Sequence, residues 1–392
     1  MRQLLFKLTM FGYLLIFAFG NGHGQEQCSI LQWRADLERW NSESIDESKD
    51  GSVIFGQDRR TGDIKFWESE TGGLISVIRP ENDVFALGDR IVVNSNGRIL
   101  GTRLKNRKTF WIGDSLSGRR LTQFSTTPFE GSHKTYISPN GRTVLVGDYE
   151  HGASLWDAKS GRFIGRLRDR RIIDSRGQPF PFLRASFSPD SQIVATAYWG
   201  GVFLWNVRDA GLVTHLVTNK TSVRGLFDKS SFVYDIAFSP DGRKLAAGGK
   251  DGRTRLWDVS TGEMIATLEQ KNRVFRAVFS LDGKYLATVS YDNKEVKIWE
   301  VNSGRLVHTI KSVGARPWTV TFGNPETGLL SVVVDDGVEF RNVTTGALVQ
   351  KCRKLFGYFL SDGRTFLVGS RPNSIGLYRI ASNPVDGARE AR

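Results

Sequence analysis

An aromatic residue returns about every 45 residues along almost the whole 392-residue chain. Each of these residues lies near the end of a short run of strand-forming residues, and a turn containing Gly follows it. Because the repeat is unbroken, we predict one domain, although the length alone would suggest two or three. The recurring aromatic residues are Trp67, Trp111, Trp156, Trp205, Trp257 and Trp299, followed by Phe340 and Tyr378.

The clearest repeat runs from residue 232 to residue 269 and contains four short strand-like segments joined by tight turns. These segments are Val233–Ser239, Lys244–Gly248, Thr254–Asp258 and Met264–Leu268. Four such strands form one twisted antiparallel sheet. Sheets of this kind repeated around an axis make a β-propeller, in which the large indole fills the gap between adjacent blades. We therefore predict an all-β fold consisting of a single β-propeller.

Short motifs in these repeats resemble those of the WD-repeat β-propeller family. The naming dipeptide occurs at Trp156-Asp157 and Trp257-Asp258. The first hairpin turn of each family repeat is matched by Ser239-Pro240-Asp241-Gly242 and by similar tetrapeptides elsewhere. The resemblance covers residues 28–381. It departs from the family pattern at one point, because no Gly-His pair precedes the first strand of each repeat, and the usual internal His-Asp hydrogen bonds are therefore not expected.

The repeats predict eight four-stranded blades, or seven if the irregular stretch 83–124 is not a blade. A propeller must close, since an open array of sheets would leave edge strands exposed. In the family that the chain resembles, an N-terminal strand commonly completes the last blade, and residues 28–37 are available for that role. A disulfide between Cys28 and Cys352 would then fasten the closing strand to the preceding blade.

The first 24 residues have the pattern of a secretory signal peptide. Arg2 and Lys7 precede the apolar run 8–20, and small residues follow up to Gly24. An uncleaved membrane anchor is the alternative, but the run is shorter than the roughly 20 residues that a span needs. We therefore expect a secreted or periplasmic protein with no membrane span after cleavage. Residues 382–392 are expected to form a flexible tail.

Export also affects how the cysteines are interpreted. Cys28 and Cys352 are the two cysteines of the chain. An even, sparse cysteine count in an oxidising compartment favours one disulfide over two free thiols.

The sequence lacks the obvious catalytic and metal-binding patterns, and we expect a non-enzyme without cofactor or metal. The segment Gly113-Asp114-Ser115-Leu116 resembles an esterase nucleophile motif, but it falls on the turn after the repeated aromatic residue. The four histidines beyond residue 24 lie in different repeats and at no metal-ligand spacing. Those histidines are His133, His151, His215 and His308.

The resemblance instead indicates a binding surface on the face that carries the second-to-third-strand turns and the connections between blades. Basic and aromatic residues, which are common at binding hot spots, are concentrated in these segments. The alternative is that turns are simply polar and that a basic protein carries Arg everywhere. The candidate partner-binding residues are Arg59, Arg60, Arg107, Lys108, Tyr149, Arg168, Arg170, Arg171, Arg176, Tyr198, Trp199, Lys250, Arg253 and Tyr291.

Two classes of function follow from this interpretation. The first is a monomeric, non-catalytic interaction scaffold that binds a protein or an anionic polymer, in keeping with a net charge of +13. The second is an enzyme, or a binder of sugars or small ligands, that uses the central funnel. Nucleic acid is an unlikely partner, because export removes most targets and no base-reading module is present.

Overall fold

The computed structural model describes most of the predicted propeller. Its described residues are 31–37, 42–48, 50–58, 61–79, 91–103, 109–125, 134–148, 151–173, 180–198, 201–216, 232–311, 316–353, 356–371 and 374–380. Together they form eight four-stranded antiparallel sheets, each one blade of a β-propeller. The described part of the chain holds no helix long and apolar enough to cross a bilayer.

The first strand of a blade is innermost, because the first strands of blades two to eight contact one another in succession. From the inner strand outwards, blade one comprises β2 (Ser42–Glu47), β3 (Val53–Asp58), β4 (Ile64–Glu68) and β5 (Leu74–Ile78); blade two β6 (Val92–Val93), β7 (Ile99–Arg103), β8 (Thr109–Asp114) and β9 (Arg120–Ser125); blade three β10 (Lys134–Ile137), β11 (Thr143–Asp148), β12 (Gly152–Asp157) and β13 (Phe163–Leu167); and blade four β14 (Phe182–Phe187), β15 (Ile193–Tyr198), β16 (Gly201–Asn206) and β17 (Leu212–Leu216). Blade five comprises β18 (Val233–Phe238), β19 (Lys244–Gly249), β20 (Arg253–Asp258) and β21 (Met264–Glu269); blade six β22 (Arg276–Phe279), β23 (Tyr285–Ser290), β24 (Glu295–Glu300) and β25 (Leu306–Lys311); blade seven β26 (Pro317–Phe322), β27 (Leu329–Val334), β28 (Gly337–Asn342) and β29 (Leu348–Arg353); and blade eight β30 (Phe356–Phe359), β31 (Thr365–Arg371), β32 (Ser374–Ile380) and β1 (Leu31–Leu37).

The N-terminal strand closes the ring, as the sequence predicts. Strand β1 pairs antiparallel with β32, so that Leu31 lies opposite Ile380 and Leu37 opposite Ile375. The outer strand of blade eight therefore comes from the start of the chain. Cys28 lies outside the described residues, whereas Cys352 is buried on β29.

The first hairpin of each blade is held by a compact turn. In blade five the Ser239 hydroxyl donates to Asp241 Oδ1 at 2.5 Å and accepts the backbone N–H of Lys244 at 2.9 Å. The hydrogen bond from Ser239 lowers the pKa of Asp241. Gly242 completes the turn at a φ of +73°, which favours glycine. The Ser-Pro-Asp-Gly tetrapeptide is thus a structural turn.

The repeated indoles are packing residues. Trp257 is 1% exposed and lies in the same buried cluster as Leu204 and Leu216 of the preceding blade. Trp205 is 0% exposed, and its indole Nε1 donates to Thr196 Oγ1 at 2.6 Å. This confirms that the indole fills the gap between adjacent blades.

In blades two and seven, strand register shows that the residue predicted from the sequence does not occupy the repeated aromatic position. Blade one defines that position, because its Trp67 pairs with Ile54, the second residue of β3. The corresponding residue in blade seven is Arg341, with Phe340 one residue earlier. In blade two it is Gly113. A Cβ at Gly113 would lie 2.1 Å from the Trp111 ring, so this indole already occupies the space that a side chain there would need.

The closing seam between blades eight and one contains a partly buried carboxylate. Glu47 occupies the last position of its inner strand, where blades five and six have Phe238 and Phe279. It accepts hydrogen bonds from the Ser361 backbone N–H at 2.8 Å and from the Ser361 hydroxyl at 3.1 Å. Burial raises the pKa of Glu47 well above its usual value. The seam therefore carries a polar contact at a position that is aromatic in other blades.

Candidate partner-binding surface

The face that carries the second-to-third-strand turns and the connections between blades is here called the connection face. Because neighbouring strands are antiparallel, both kinds of segment lie at the same end of the sheets. Among the predicted partner-binding residues, Arg168, Arg170, Lys250 and Arg253 are exposed there. Arg253 forms an ion pair with Glu269 at 3.4 Å.

A continuous row of five aromatic side chains crosses the connection face of blades five to seven. The ring centroids lie 4.8 Å apart between Phe232 and Tyr234, and 4.7 Å apart between Tyr234 and Phe275. The row continues from Phe275 to Tyr291 at 4.3 Å and from Tyr291 to Trp318 at 5.4 Å. All five residues, here called the aromatic row, are only partly buried.

Strand register explains how residues so distant in sequence come together. Tyr234, Phe275 and Trp318 occupy one equivalent position on the inner edge of three successive blades. Each of the three comes directly before an inner-strand residue. Those inner-strand residues pair with residues at equivalent positions of the second strands. These pairs are Asp235 with Gly248, Arg276 with Val289, and Thr319 with Val333. Tyr291 joins the row from the second-to-third-strand turn of blade six.

Hydrogen bonds fix the far end of the row. The Trp318 indole Nε1 donates to Asp335 Oδ1 at 2.7 Å, and the backbone N–H of Arg316 donates to Asp335 Oδ2 at 3.0 Å. The Tyr291 hydroxyl donates to the Trp318 carbonyl at 3.1 Å. Trp318 is therefore held in one orientation while part of its ring stays accessible. Fixed aromatic groups lose little entropy on binding a partner.

An arginine stacks on the middle of the row. The Arg273 guanidinium carbon lies 5.3 Å from the Phe275 ring centroid. Its Nε and Nη2 donate to the two carboxylate oxygens of Asp292 at 2.9 and 2.8 Å. These hydrogen bonds hold the pKa of Asp292 below its usual range. The Arg273 side chain is nevertheless 41% exposed.

Around the aromatic row, most acidic side chains form ion pairs, whereas several basic side chains that the structure describes do not. Each nearby acidic side chain has a partner: Asp251 binds Arg255, Glu269 binds Arg253, Glu295 binds Lys311, and Asp336 binds Lys351. By contrast, Lys250, Lys271 and Arg316 are exposed and make no ion pair within the described ranges of the chain. The connection face of these blades thus offers cationic groups to a partner.

A second predicted group lies by blade four, apart from the row. Arg170 and Arg171 belong to the 3₁₀ turn Arg170–Ile172, and Arg171 binds both carboxylate oxygens of Asp169 at 2.6 and 3.0 Å. Arg171 also lies over the Phe203 ring at 5.9 Å. His215 stacks on the same ring with a centroid distance of 4.4 Å. Burial lowers the pKa of His215 to about 4.

Tyr198 was expected on this surface, and that prediction is wrong. Its side chain is 0% exposed and contacts Phe182 and Phe203, with centroid distances of 5.9 Å to each. It is the last residue of β15 and faces the space between blades three and four. The other predicted residues, Arg59, Arg60, Arg107, Lys108, Tyr149, Arg176 and Trp199, lie outside the described residues.

Charged side chains also line the inner strands at one level. Lys134, Arg184, Asp235 and Arg276 occupy equivalent positions in blades three to six. Lys134 Nζ donates to the carbonyl of Leu183 in the next blade. Arg184 Nε donates to the Tyr234 carbonyl at 3.0 Å. Burial, together with the charge of Arg184, lowers the pKa of Lys134 to about 8. These residues connect adjacent blades around the axis.

The esterase-like motif is a turn in the structure. Ser115 is 2% exposed, and its backbone N–H donates to the Arg98 carbonyl at 2.8 Å. Asp114 accepts the backbone N–H groups of Leu116 and Ser117 at 3.1 and 2.9 Å. Within the described ranges, no cluster of three His, Cys, Asp or Glu residues could hold a metal ion.

Comparison with known proteins agrees with the repeats seen in the sequence. The family model for the WD domain, G-beta repeat, matches residues 220–258 and 262–300. The chain is 32% identical to WD repeat-containing protein SL1-17 of Schistosoma mansoni over 172 residues, 44% of this chain and 51% of that protein. It is 30% identical to small ribosomal subunit protein RACK1y of Oryza sativa subsp. japonica over 130 residues, 33% of this chain and 35% of that protein. The chain thus spans about half or less of these relatives' lengths.

A solved structure supports the architecture. The crystal structure of the computationally designed Ika8 protein superposes with a TM-score of 0.64, covering 89% of this chain and all of the designed one. Their sequences are 16% identical, so this likeness concerns the fold alone. The Trp-Asp dipeptides, the hairpin turns, the four-stranded blades and the matched repeats agree with one another. Two repeats of this chain thus match the WD-domain family model, and its fold is a β-propeller of four-stranded blades such as WD-repeat proteins form.

Proposed function

We propose that this protein is a non-catalytic interaction scaffold that binds a protein partner on the connection face of blades five to seven. The aromatic row is the observation that supports this proposal. It presents five neighbouring, partly exposed rings on a rigid framework, and exposed cationic residues surround it. Aromatic and arginine side chains supply most of the binding energy at protein interfaces.

The relatives are consistent with this role. RACK1y is described as a small ribosomal subunit protein, and another relative, from Oryza sativa subsp. japonica, as pre-mRNA-processing factor 19. Both names place those proteins in larger assemblies or processes. By analogy, the present chain would also act by holding a partner.

The proposal includes an extracytoplasmic location. The N-terminal sequence pattern supports cleavage of a signal peptide, which would leave a secreted or periplasmic protein. A Cys28–Cys352 disulfide would suit that compartment, and no free cysteine is found among the described residues. Peptide mapping by mass spectrometry without reduction would detect this linkage, and an alkylated Cys352 in the native exported protein would contradict it.

The docking surface can be tested by affinity capture of partners from the native extracytoplasmic fraction. We expect the double variant Phe275→Ala and Trp318→Ala to lose partners that the wild type retains, because truncation removes two fixed anchors. Each such anchor is worth about 2 kcal/mol or more at an interface hot spot.

Leu306→Ala is the matched control for this experiment. Leu306 is 40% exposed and begins β25 at the opposite end of blade six. Removing it deletes a comparable apolar surface away from the connection face. If the double variant captures the same partners as the wild type, or if Leu306→Ala loses them equally, the proposed surface is wrong.

A further inference from the structure

We infer that Arg273 is the specificity-determining residue of the connection face and that it recognises a carboxylate side chain in an acidic segment of the partner. This inference rests on the proposed function and names the chemistry of its partner. Three features of Arg273 lead to it: its restrained geometry, its open edge and the balance of charge around it.

The guanidinium is held in place before any partner binds. It stacks over Phe275 at 5.3 Å, and Asp292 binds its Nε and Nη2 at 2.9 and 2.8 Å. Stacking fixes the plane of the group, and the bidentate ion pair fixes its rotation within that plane. A partner would therefore meet an oriented donor.

The ion pair with Asp292 occupies one edge of the guanidinium. The group has five N–H bonds in a planar fork, and Asp292 engages one from Nε and one from Nη2. Three N–H bonds remain, two on Nη1 and one on Nη2. Tyr234 also interacts with the guanidinium, so a second carboxylate would bind at the N–H bonds beside that tyrosine. The side chain is 41% exposed, so solvent and ligands reach it.

The surrounding charges favour an acidic partner. Asp292 is paired with Arg273, whereas Asp335 accepts hydrogen bonds from two neutral groups, the Trp318 indole and the Arg316 backbone. Lys250, Lys271 and Arg316 add exposed positive charge on the same face. A basic partner segment would meet repulsion here, whereas an acidic one would be attracted.

The rings beside Arg273 indicate what flanks the acidic side chain. Phe275 and Tyr291 stack at 4.3 Å with an interplanar angle of 10°, so that each ring covers one face of the other, and both residues remain partly exposed. Ring edges carry partial positive charge, which suits carboxylate and carbonyl oxygens. An extended peptide with acidic side chains would thus find favourable contacts along the row.

The test measures the fluorescence anisotropy of a fluorescein-labelled peptide of alternating Glu and Gly, with a Gln-Gly peptide as reference. We expect the protein to bind the Glu peptide more tightly than the Gln peptide. Arg273→Gln should weaken that binding about tenfold, because a charge-assisted hydrogen-bonded pair is lost. Arg273→Lys, which keeps the charge but not the fork, should give an intermediate loss.

Two further variants make the result specific. Asp292→Asn removes the competing negative charge but keeps one acceptor oxygen to orient Arg273, so binding of the Glu peptide should be preserved or strengthened. Arg243→Gln removes one exposed positive charge from a first hairpin turn, on the opposite face, and should leave binding unchanged. Thermal unfolding of every variant reports whether it is folded.

Equal binding of the Glu peptide by the wild type and a folded Arg273→Gln variant would overturn the inference. So would an equal effect of Arg243→Gln. If native partners are still lost on the Phe275→Ala and Trp318→Ala double substitution, the docking surface stands and only the assignment to Arg273 fails.

Discussion

At the scale of single residues, the indoles of different blades differ in one hydrogen bond. Trp205 and Trp299 donate to Thr196 and Thr288 at 2.6 and 2.9 Å. The equivalent second-strand residue in blade three is Val146, and there the buried Nε1 of Trp156 has no acceptor. A buried N–H without an acceptor costs stability, so blade three lacks a stabilising hydrogen bond that blades four and six have.

Exchanging Thr and Val at these positions should therefore have opposite effects. Thr196→Val should lower the free energy of unfolding by about 1–3 kcal/mol, because it leaves the Trp205 indole unsatisfied. Val146→Thr should be close to neutral, since the new hydroxyl can accept from Trp156. Chemical denaturation measures both.

Val194→Thr is the control for that exchange. Val194 is buried, and the neighbouring Trp205 indole already has its acceptor. We expect this hydroxyl to cost about 1–3 kcal/mol. The explanation would be wrong if Val146→Thr cost as much as Val194→Thr.

His215 predicts a specific dependence of stability on pH. Burial, and then the charge of Arg171, lower its pKa to about 4 from an ordinary 6.5, while Asp169 acts in the opposite direction. The folded state thus favours the neutral ring. This contribution is complete above pH 6.5 and decreases as the pH falls towards 4, by roughly 3 kcal/mol at most.

His215→Gln should abolish this part of the pH dependence. Unfolding free energies of the wild type and the variant, measured between pH 7 and pH 4, should differ in slope. Parallel curves would show that His215 does not titrate in this way. Differences in slope are informative even if the loss of stacking on Phe203 lowers stability throughout.

At the scale of elements, the closing strand β1 differs from the other outer strands in how the chain connects it to its partner. Every other outer strand follows its partner through a short turn, whereas β1 pairs with β32 from the opposite end of the chain. Without β1, the edge of β32 would be exposed and could pair with other chains.

Removal of residues 1–37 should lower the midpoint of thermal unfolding by roughly 10 °C or more and promote association. Removal of residues 1–27 retains β1 and is the control. Differential scanning fluorimetry and light scattering report both effects. If both truncated proteins have the same midpoint and the same mass, β1 does not seal the ring.

Sequence patterns predicted these elements well because the signals are local. The Ser239–Gly242 turn and the alternation in Val233–Phe238 depend on neighbouring residues, and the structure has both. The aromatic row could not be predicted in the same way. Its residues run from Phe232 to Trp318, and only the register of three blades brings them together. The signal available was the equivalent placement of Tyr234, Phe275 and Trp318.

Tyr198 shows the opposite error. Its position before a second-to-third-strand turn suggested exposure, but residues at the end of a strand still alternate between the two faces of the sheet. Both faces of a propeller blade pack against neighbours, so a tyrosine there can be fully buried. Periodicity alone also misplaced the repeated residue of blade seven. Arg341 occupies the aromatic position there and forms an ion pair with Glu339.

At the scale of the whole molecule, the start and end of the described chain are neighbours, because Leu31 lies opposite Ile380. Any outer strand could in principle play the closing role. A circular permutant that links residue 380 to residue 31 and opens the chain between Gly304 and Arg305 would make β25 the N-terminal, closing strand.

We expect this permutant to fold, with an unfolding midpoint within a few degrees of the wild type, since the same sheets form. Circular dichroism and thermal unfolding are the measurements. A control permutant opened within β24, between Lys297 and Ile298, should be strongly destabilised because it interrupts a buried strand. Similar behaviour of the two permutants would contradict the equivalence of outer strands.

The pairing of β1 with β32 also has a consequence during synthesis. The ribosome makes the closing strand first and its partner last, so β1 waits for nearly the whole chain to be made. At roughly 5–20 residues per second this interval is tens of seconds. A chain terminated before Ser374 keeps β1 but lacks β32. Completeness of the polypeptide is thus a condition for sealing the ring, and truncated products would present unpaired strands to quality-control proteases.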